Sequence, residues 1–246
     1  MKEEFDYKEY WMERHKQNIC PLKKSGIKSL SEETNRYFYY LVKDQYGRLL
    51  SECSISLENK SVLDAGAGTG EYISFFLVRK ARVTAIDISE NAANHIKMEF
   101  PEVKVVVASL EDIDRHFSSY QFDIIHCFDV LYHITDDVAW EKTIRNFVKI
   151  SKKYIILHER FSDKKPLISS KHIKWRSKEK TVTELKKYRF YEIGSIPTSV
   201  IRRLFTYRIL DFFPSIYYKI DKVLLDTNLA YKIGESFIKI FRRDFE

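Results

Sequence analysis

Two acidic residues, each closing an apolar run, flank the main glycine cluster of the chain. Asp64 follows Val62 and Leu63 and precedes Gly66, Gly68 and Gly70, three of only seven glycines in 246 residues. Asp87 lies in a second run, RVTAIDI at 82–88, 21 residues beyond Gly66. A glycine turn between a strand and a helix lets the backbone approach a ligand with no Cβ in the way, while the free N–H groups of the helix start face it. An acid at the end of the next strand can accept both hydroxyls of a ribose. This spacing therefore suits a nucleotide-like ligand. The dinucleotide pattern GxGxxG would need a third glycine at position 71, which is Glu71, so NAD is disfavoured.

Alternating strands and helices must hold these residues. The patterning predicts strand 61–65, helix 70–80, strand 82–87, helix 89–99 and strand 103–107, with Ser89 as an N-cap and Pro101 past the helix end. FDIIHCFDVLYHI at 122–134 holds a fourth strand and the turn after it. There His126 reads as a core histidine, while Phe128, Asp129 and His133 lie at the ligand end. Trp140, Ile144, Phe147 and Val148 form a helix stripe, and YIILHER at 154–160 a fifth strand. Nearly continuous apolar runs suit a parallel sheet covered on both faces. Further on, TVTELKKY reads as a helix after a Thr cap, RFYEIGSI as the sixth strand and GESFIKIFRR as a final antiparallel strand. Upstream, residues 1–20 look helical and carry Phe5, Tyr7, Tyr10 and Trp11. A Pro21 to Ser29 linker then leads to a helix capped by Ser31.

The run Asp64-Ala-Gly66-Ala67-Gly68-Thr-Gly70, with Asp87 closing the next strand, resembles the class I S-adenosylmethionine (SAM) dependent methyltransferases over roughly residues 61–194 and 234–243. The resemblance implies an α/β fold: a Rossmann-like doubly wound sheet of seven strands, mostly parallel with an antiparallel last strand. It implies an N-terminal helical lid or cap at 1–60 and a SAM-binding domain at 61–246, with insertions at about 160–180 and 198–233. SAM would be the cofactor and S-adenosyl-L-homocysteine (SAH) the product, held by Asp64, Gly66, Ala67, Gly68, Gly70, Asp87 and Ile88. The family usually has an aspartate for the adenine amino group where this chain has Ser109. The adenine edge then falls to Ser109 and the Leu110 backbone, or to Glu111 or Asp112. Phe128 would pack on the adenosyl or methionine part, Tyr10 or Trp11 of the DYKEYW start would touch SAM or substrate, and Arg36 would reach the SAM carboxylate.

Methyl transfer from a sulfonium is an in-line displacement, and positioning alone contributes up to about 7–11 kcal/mol. A hydroxyl acceptor also gains about 10²- to 10⁴-fold from a general base. His133 and His158, at neighbouring strand ends, are the candidates, with Glu159 and His172 nearby. FDVL stands where an Asn-Pro-Pro-Tyr motif for amide or base nitrogens would be, and no cysteine pair supports C5 methylation. The expected activity is methyl transfer to a hydroxyl oxygen of a small molecule or glycan. An RNA methyltransferase and an inactive SAM-fold binding protein are the alternatives. The intact Gly66, Gly68, Gly70 and Asp87 argue against the latter.

With 44% hydrophobic and 31% charged residues, the composition is that of an ordinary globular chain. The start, MKEEFDYKEYWMERHKQ, lacks a signal-peptide core, and no apolar run reaches the length of a membrane span. Cys20, Cys53 and Cys127 form no CxxC, which predicts a cytoplasmic protein without a metal cluster. Charge is uneven. From Arg160 onward stand 20 Lys plus Arg against 10 Asp plus Glu, a balance that invites an anionic partner or forms a solvated surface. For RNA, Trp175, Tyr188 and Tyr191 would supply stacking. For peripheral membrane contact, residues 199–225 carry Arg202, Arg203, Arg208, Lys219 and Lys222 among Phe205, Phe212, Phe213 and Tyr217, with Pro214 interrupting. The sequence does not set the oligomeric state.

Overall fold

The computed structural model describes residues 5–161, 167–201, 211–234 and 236–245. Three N-terminal helices, α1 (Tyr7–Lys16), α2 (Pro21–Ser25) and α3 (Glu32–Glu52), precede β1 (Ser61–Ala65). There follow α4 (Ile73–Leu77), β2 (Arg82–Asp87), α5 (Glu90–Glu99), β3 (Lys104–Val107), β4 (Phe122–Phe128), α6 (Asp137–Ile150) and β5 (Ser151–Arg160). A small hairpin of β6 (Leu167–Ser170) and β7 (Ile173–Trp175) leads to α7 (Lys178–Lys186) and β8 (Phe190–Ser199). The chain closes with α8 (Pro214–Leu225), α9 (Asn228–Ile233) and β9 (Ser236–Arg243). Seven strands form one sheet in the order β3-β2-β1-β4-β5-β9-β8. All neighbours pair in parallel except β9, which runs antiparallel to both β5 and β8.

Residue alternation along the strands divides the core. Val62, Ile124, Phe128, Ile156 and Ile240 face Tyr46 and Leu49 of α3, Phe76 of α4 and Ile96 of α5. Leu63, Ile125, Cys127, Leu157 and Phe241 face Trp140, Ile144 and Phe147 of α6 and Leu185 of α7. The expected doubly wound sheet is thus present. Within the N-terminal 60 residues, α3 belongs to the sheet's own core, with Tyr46 fully buried, and only α1 and α2 form a cap.

Three local expectations change. The helix predicted from residue 70 starts at Ile73, because Gly66, Gly68 and Gly70 are left-handed with φ of 76°, 55° and 85°. It ends early too: Lys80 is left-handed and the Ala81 N–H bonds Phe76 O, a Schellman-type closure. The linker expected at Pro21 to Ser29 contains α2, begun by a proline in the first turn. The cap of α7 is Ser177, whose hydroxyl accepts the Lys180 N–H, and the helix begins before the threonines.

Candidate active site

The carboxyl ends of β1 to β4 open on one pocket of about 900 Å³, part of it open to solvent. It lies where the strand order reverses, between β1 and β4. Gly66 and Ala67 donate their N–H groups to Ile86 O at 2.8 and 3.0 Å, holding the glycine turn against β2. Gly68 N–H donates to Asp87 Oδ2 at 2.8 Å and Ser89 N–H to Oδ1 at 2.9 Å. Each Asp87 oxygen therefore accepts one backbone N–H, and burial pushes the carboxyl pKa up. A Cβ on Gly66 would lie 2.5 Å from Val130, so this position admits no side chain.

Asp64 is buried, with Oδ1 at 2.8 Å from Nδ1 of His126, its register neighbour on β4. Its Oδ2 has no partner. The core histidine therefore aims the carboxylate, leaving one oxygen for a ligand.

The roof is α1. Tyr7, Trp11 and His15, four residues apart on one helical face, all line the pocket. Tyr7 sits beside Ser109, and burial pushes its pKa up to about 12. Trp11 meets the ring of His133 edge-on at 4.7 Å between centroids. His15 is 3% exposed, neither ring nitrogen has a hydrogen-bond partner, and burial lowers its pKa despite the nearby Asp87 carboxylate. Arg14 pins this helix to the end of α2 by donating to Lys23 O at 3.0 Å and to Gly26 O. A Lys8–Glu111 ion pair holds its other end.

Beside the glycine turn, Tyr39, Glu71, Tyr72, Phe128, Asp129 and His133 line a second part of the pocket. The Tyr72 ring lies 5.1 Å from Phe128 and 5.7 Å from Tyr39, and its buried hydroxyl has no partner. Asp129 follows β4 in a left-handed conformation, φ 58°, with Oδ2 2.9 Å from His158 Nδ1. His158 Nε2 lies 2.8 Å from Thr198 Oγ1, which donates its own proton to Ser236 O at 3.2 Å. Both ring nitrogens of His158 are thus engaged, one by Asp129 and one by Thr198. Nδ1–H of His133 donates to His172 O at 2.8 Å, leaving the lone pair of the neutral ring on Nε2. Burial pushes the His133 pKa down to about 3.

Asp64, Gly66, Ala67, Gly68, Asp87, Ile88, Ser109, Leu110, Phe128, Trp11 and His133 thus come together on the pocket wall. Six expected residues stand elsewhere. Gly70 is a packing glycine, since a Cβ there would meet Ile73, Phe100 and Ile96 at 3.1–3.3 Å. Glu111 is engaged with Lys8, and Tyr10 stacks on His172 at 4.7 Å. Arg36 lies on the surface, 2.6 Å from Glu32. His158 is buried behind Asp129 with both nitrogens engaged, so it does not face an acceptor. Glu159 accepts the Leu131 N–H at 3.1 Å in a separate small cavity with Arg176, and burial pushes its carboxyl pKa well up. The residues that sequence reasoning missed include His15, Ser25, Tyr39, Glu71 and Tyr72. The four-residue spacing of Tyr7, Trp11 and His15 was the available signal for His15.

The β6–β7 hairpin meets the pocket wall at His133, whose ring is held by the His172 carbonyl. Lys174, Arg176 and Lys180, in and just after the hairpin, all gather on Asp137, at 3.0, 2.9 and 3.4 Å. Trp175 is covered by Arg160 at 4.1 Å and Tyr188 packs on the core, so of the three aromatics proposed for stacking only Tyr191 is exposed. Among the described residues no three His, Cys, Asp or Glu gather as metal ligands, and no helix is long and apolar enough to cross a membrane. Arg202, Arg203, Phe205 and Arg208 of the amphipathic stretch lie outside the described residues.

Residues 62–153 match the family described as a methyltransferase domain. The chain is 27% identical over 108 residues, 44% of this chain and 37% of the relative, to a "Probable S-adenosylmethionine-dependent methyltransferase" of Mycobacterium tuberculosis. It is 30% identical over 105 residues, 41% of this chain and 43% of the relative, to a ubiquinone biosynthesis O-methyltransferase of Coxiella burnetii. The chain thus spans less than half the length of these curated relatives. Its fold is shared with the magnesium protoporphyrin IX methyltransferase of Synechocystis PCC 6803, solved with bound SAM, at TM-score 0.66 and 15% identity, covering 99% of this chain and 100% of that one. The glycine turn, the acids at both strand ends and the sheet order agree with these matches: residues 62–153 form a methyltransferase domain, and the chain has the fold of the SAM-dependent methyltransferases.

Proposed function

We propose that this chain moves the methyl group of SAM to a hydroxyl oxygen of a small molecule or glycan held beneath α1. The observation that carries the reading is a set of buried polar atoms without partners around one pocket: Asp64 Oδ2, Tyr72 OH and both ring nitrogens of His15. Such atoms are costly, about 1–3 kcal/mol each, unless a ligand completes them. SAM fits this donor set. Asp64 would take its ammonium, Asp87 the ribose hydroxyls with His15 beside them, and Ser109, Leu110 and Tyr7 would border the adenine. When bound, SAM supplies an electrophilic methyl on a sulfonium, whose positive charge suits the neighbouring Phe128 and Tyr72 rings.

The chain's own residues then act on the acceptor. Tyr39, Tyr72 and Phe128 exclude water and fix its approach. The hydroxyl proton passes to Asp129, held by His158, or to the Nε2 lone pair of His133. A weak base suffices late in this reaction, because an oxygen that has gained a methyl while keeping its proton is strongly acidic. Three unpaired cysteines support a cytoplasmic setting. Lys174, Arg176 and Lys180 are drawn to Asp137, which gives RNA less support than the sequence suggested.

The test is calorimetric binding of SAH to wild type, Asp87→Ala and His15→Ala, followed by transfer of labelled methyl into fractionated cell extract. Binding weakened about tenfold or more in both variants, with label in a small-molecule or carbohydrate fraction, is expected. Absence of SAH binding to wild type refutes the cofactor; label in nuclease-sensitive material refutes the acceptor class.

A further inference from the structure

We propose that α8 is a docking surface for the headgroup region of an anionic bilayer. The helix buries Tyr217 and Leu225 against Phe38, Leu41 and Val200, and turns its other face outward. Phe212 and Phe213, just before it, and Ile216, Ile220 and Val223 along it are 77%, 64%, 53%, 48% and 67% exposed. Steps of three or four residues place them on one stripe. Scattered exposed apolar residues need no explanation, but five large ones in a row mark an interaction face.

The charges around that stripe choose the partner. Lys219 and Lys222 are exposed beside it, with Lys222 also reaching Asp44 at 3.1 Å. The carboxylate within the helix, Asp221, is fully buried and accepts Val200 N–H at 2.8 Å, Ile201 N–H at 3.1 Å and Ser199 O–H at 2.6 Å. Asp211, which precedes the phenylalanines, accepts Ser31 N–H at 2.8 Å and Thr34 O–H at 2.6 Å. The helix therefore presents rings, branched aliphatics and ammonium groups outward while its carboxylate points in. That is the composition of a helix lying in a bilayer interface rather than spanning it. A second copy docked about a twofold axis would instead bring the lysines of both copies together.

The position couples docking to the pocket. Asp211 fastens the start of this segment to the first turn of α3, where Asn35 accepts the Ile27 N–H at 2.8 Å. Two residues before Ile27, Ser25 lines the pocket and holds Thr69. A bilayer on α8 thus lies next to the segment that closes the site. The proposal does not depend on the methyl-transfer reading.

Co-flotation with phosphatidylglycerol-containing and pure phosphatidylcholine vesicles tests it. Wild type is expected to float with the anionic vesicles and to be released by salt. Ile216→Glu/Ile220→Glu is expected to bind at least about tenfold less, and Lys219→Ser about fivefold less. Unchanged circular dichroism and unchanged SAH binding of the variants separate lost docking from lost folding and from failure of the cofactor reading. Three results overturn the proposal: no flotation of wild type with anionic vesicles, equal flotation of the double variant, or sedimentation showing a wild-type dimer that the double variant splits.

Discussion

Acidification should destabilise the folded chain through His133, and the size of the effect follows from its surroundings. The ring is 8% exposed, sits edge-on against Trp11 and donates Nδ1–H to His172 O, so a second proton would be buried without a carboxylate partner. Burial lowers its pKa from 6.5 to about 3. The unfolded chain therefore binds a proton that the folded chain refuses. Its stability contribution is complete above pH 6.5 and is lost as pH falls from 6.5 toward about 3. Between pH 7.5 and 5.0 the linkage amounts to about 2 kcal/mol. His133→Asn keeps a donor for His172 O and removes the titration. Urea unfolding of both proteins at both pH values cancels every other titrating group, including Glu159, whose raised pKa acts with the opposite sign. Wild type should lose about 2 kcal/mol more than the variant. Because lifting α1 would expose the ring to water, the loss is capped at the free energy of opening that lid. Parallel pH dependences in the two proteins would refute the claim that His133 is held neutral.

Gly68→Ala should weaken SAH binding, since its Cβ would meet Ser25 Oγ and lie 3.0 Å from Ser25 Cβ. The displaced Ser25 gives up its 3.0 and 3.1 Å bonds to Thr69, about 0.5–1.5 kcal/mol each, and Ser25→Gly alone, which loses the same bonds without the clash, should show the smaller part of the weakening in the same titration. His158→Asn retains a donor toward Asp129, whereas His158→Gln retains one toward Thr198. Turnover with SAH affinity unchanged should therefore be higher in the Asn variant, and equal turnover would sink the positioning role of His158. Arg176→Met should lower the urea midpoint, because the guanidinium bonds Ile134 O at 2.8 Å and Asp137 at 2.9 Å while buried; an unchanged midpoint would show that the hairpin is held by packing alone.

What could be read from the chain alone follows the range of the forces involved. Asp64, Gly66, Gly68 and Asp87 were legible because strand period, left-handed glycine and ligand geometry are fixed within a few residues. The mostly parallel sheet of seven strands was legible through resemblance, and each apolar run supported it. Arg36 and His158 failed for a different reason. Whether an arginine on α3 faces the pocket depends on the rotation of that helix, and Glu32 one turn earlier offers a local partner. Whether a histidine at a strand end meets solvent depends on what covers it, and Thr198 comes from 40 residues away. Tyr39, from the same helix as Arg36, lines the pocket that the arginine does not reach.

The same roof bears on the acceptor. Since α1 lies over the carboxyl ends of the strands and is pinned at Arg14 and Lys8, with Tyr10 on His172 and Trp11 on His133 closing the hairpin side, an acceptor group must enter through the gap that this roof leaves. An internal nucleotide of RNA would have to be turned out of its strand into that gap, at a cost of a few kcal/mol. The neighbouring cations that could offset this through phosphate contacts are drawn instead to Asp137. A compact hydroxyl-bearing molecule meets neither obstacle. Removing Asp137 as Asp137→Asn separates the two cases: freed lysines should raise affinity for any polyanion without raising methyl transfer to it, and a parallel rise in RNA methylation would reverse the assignment.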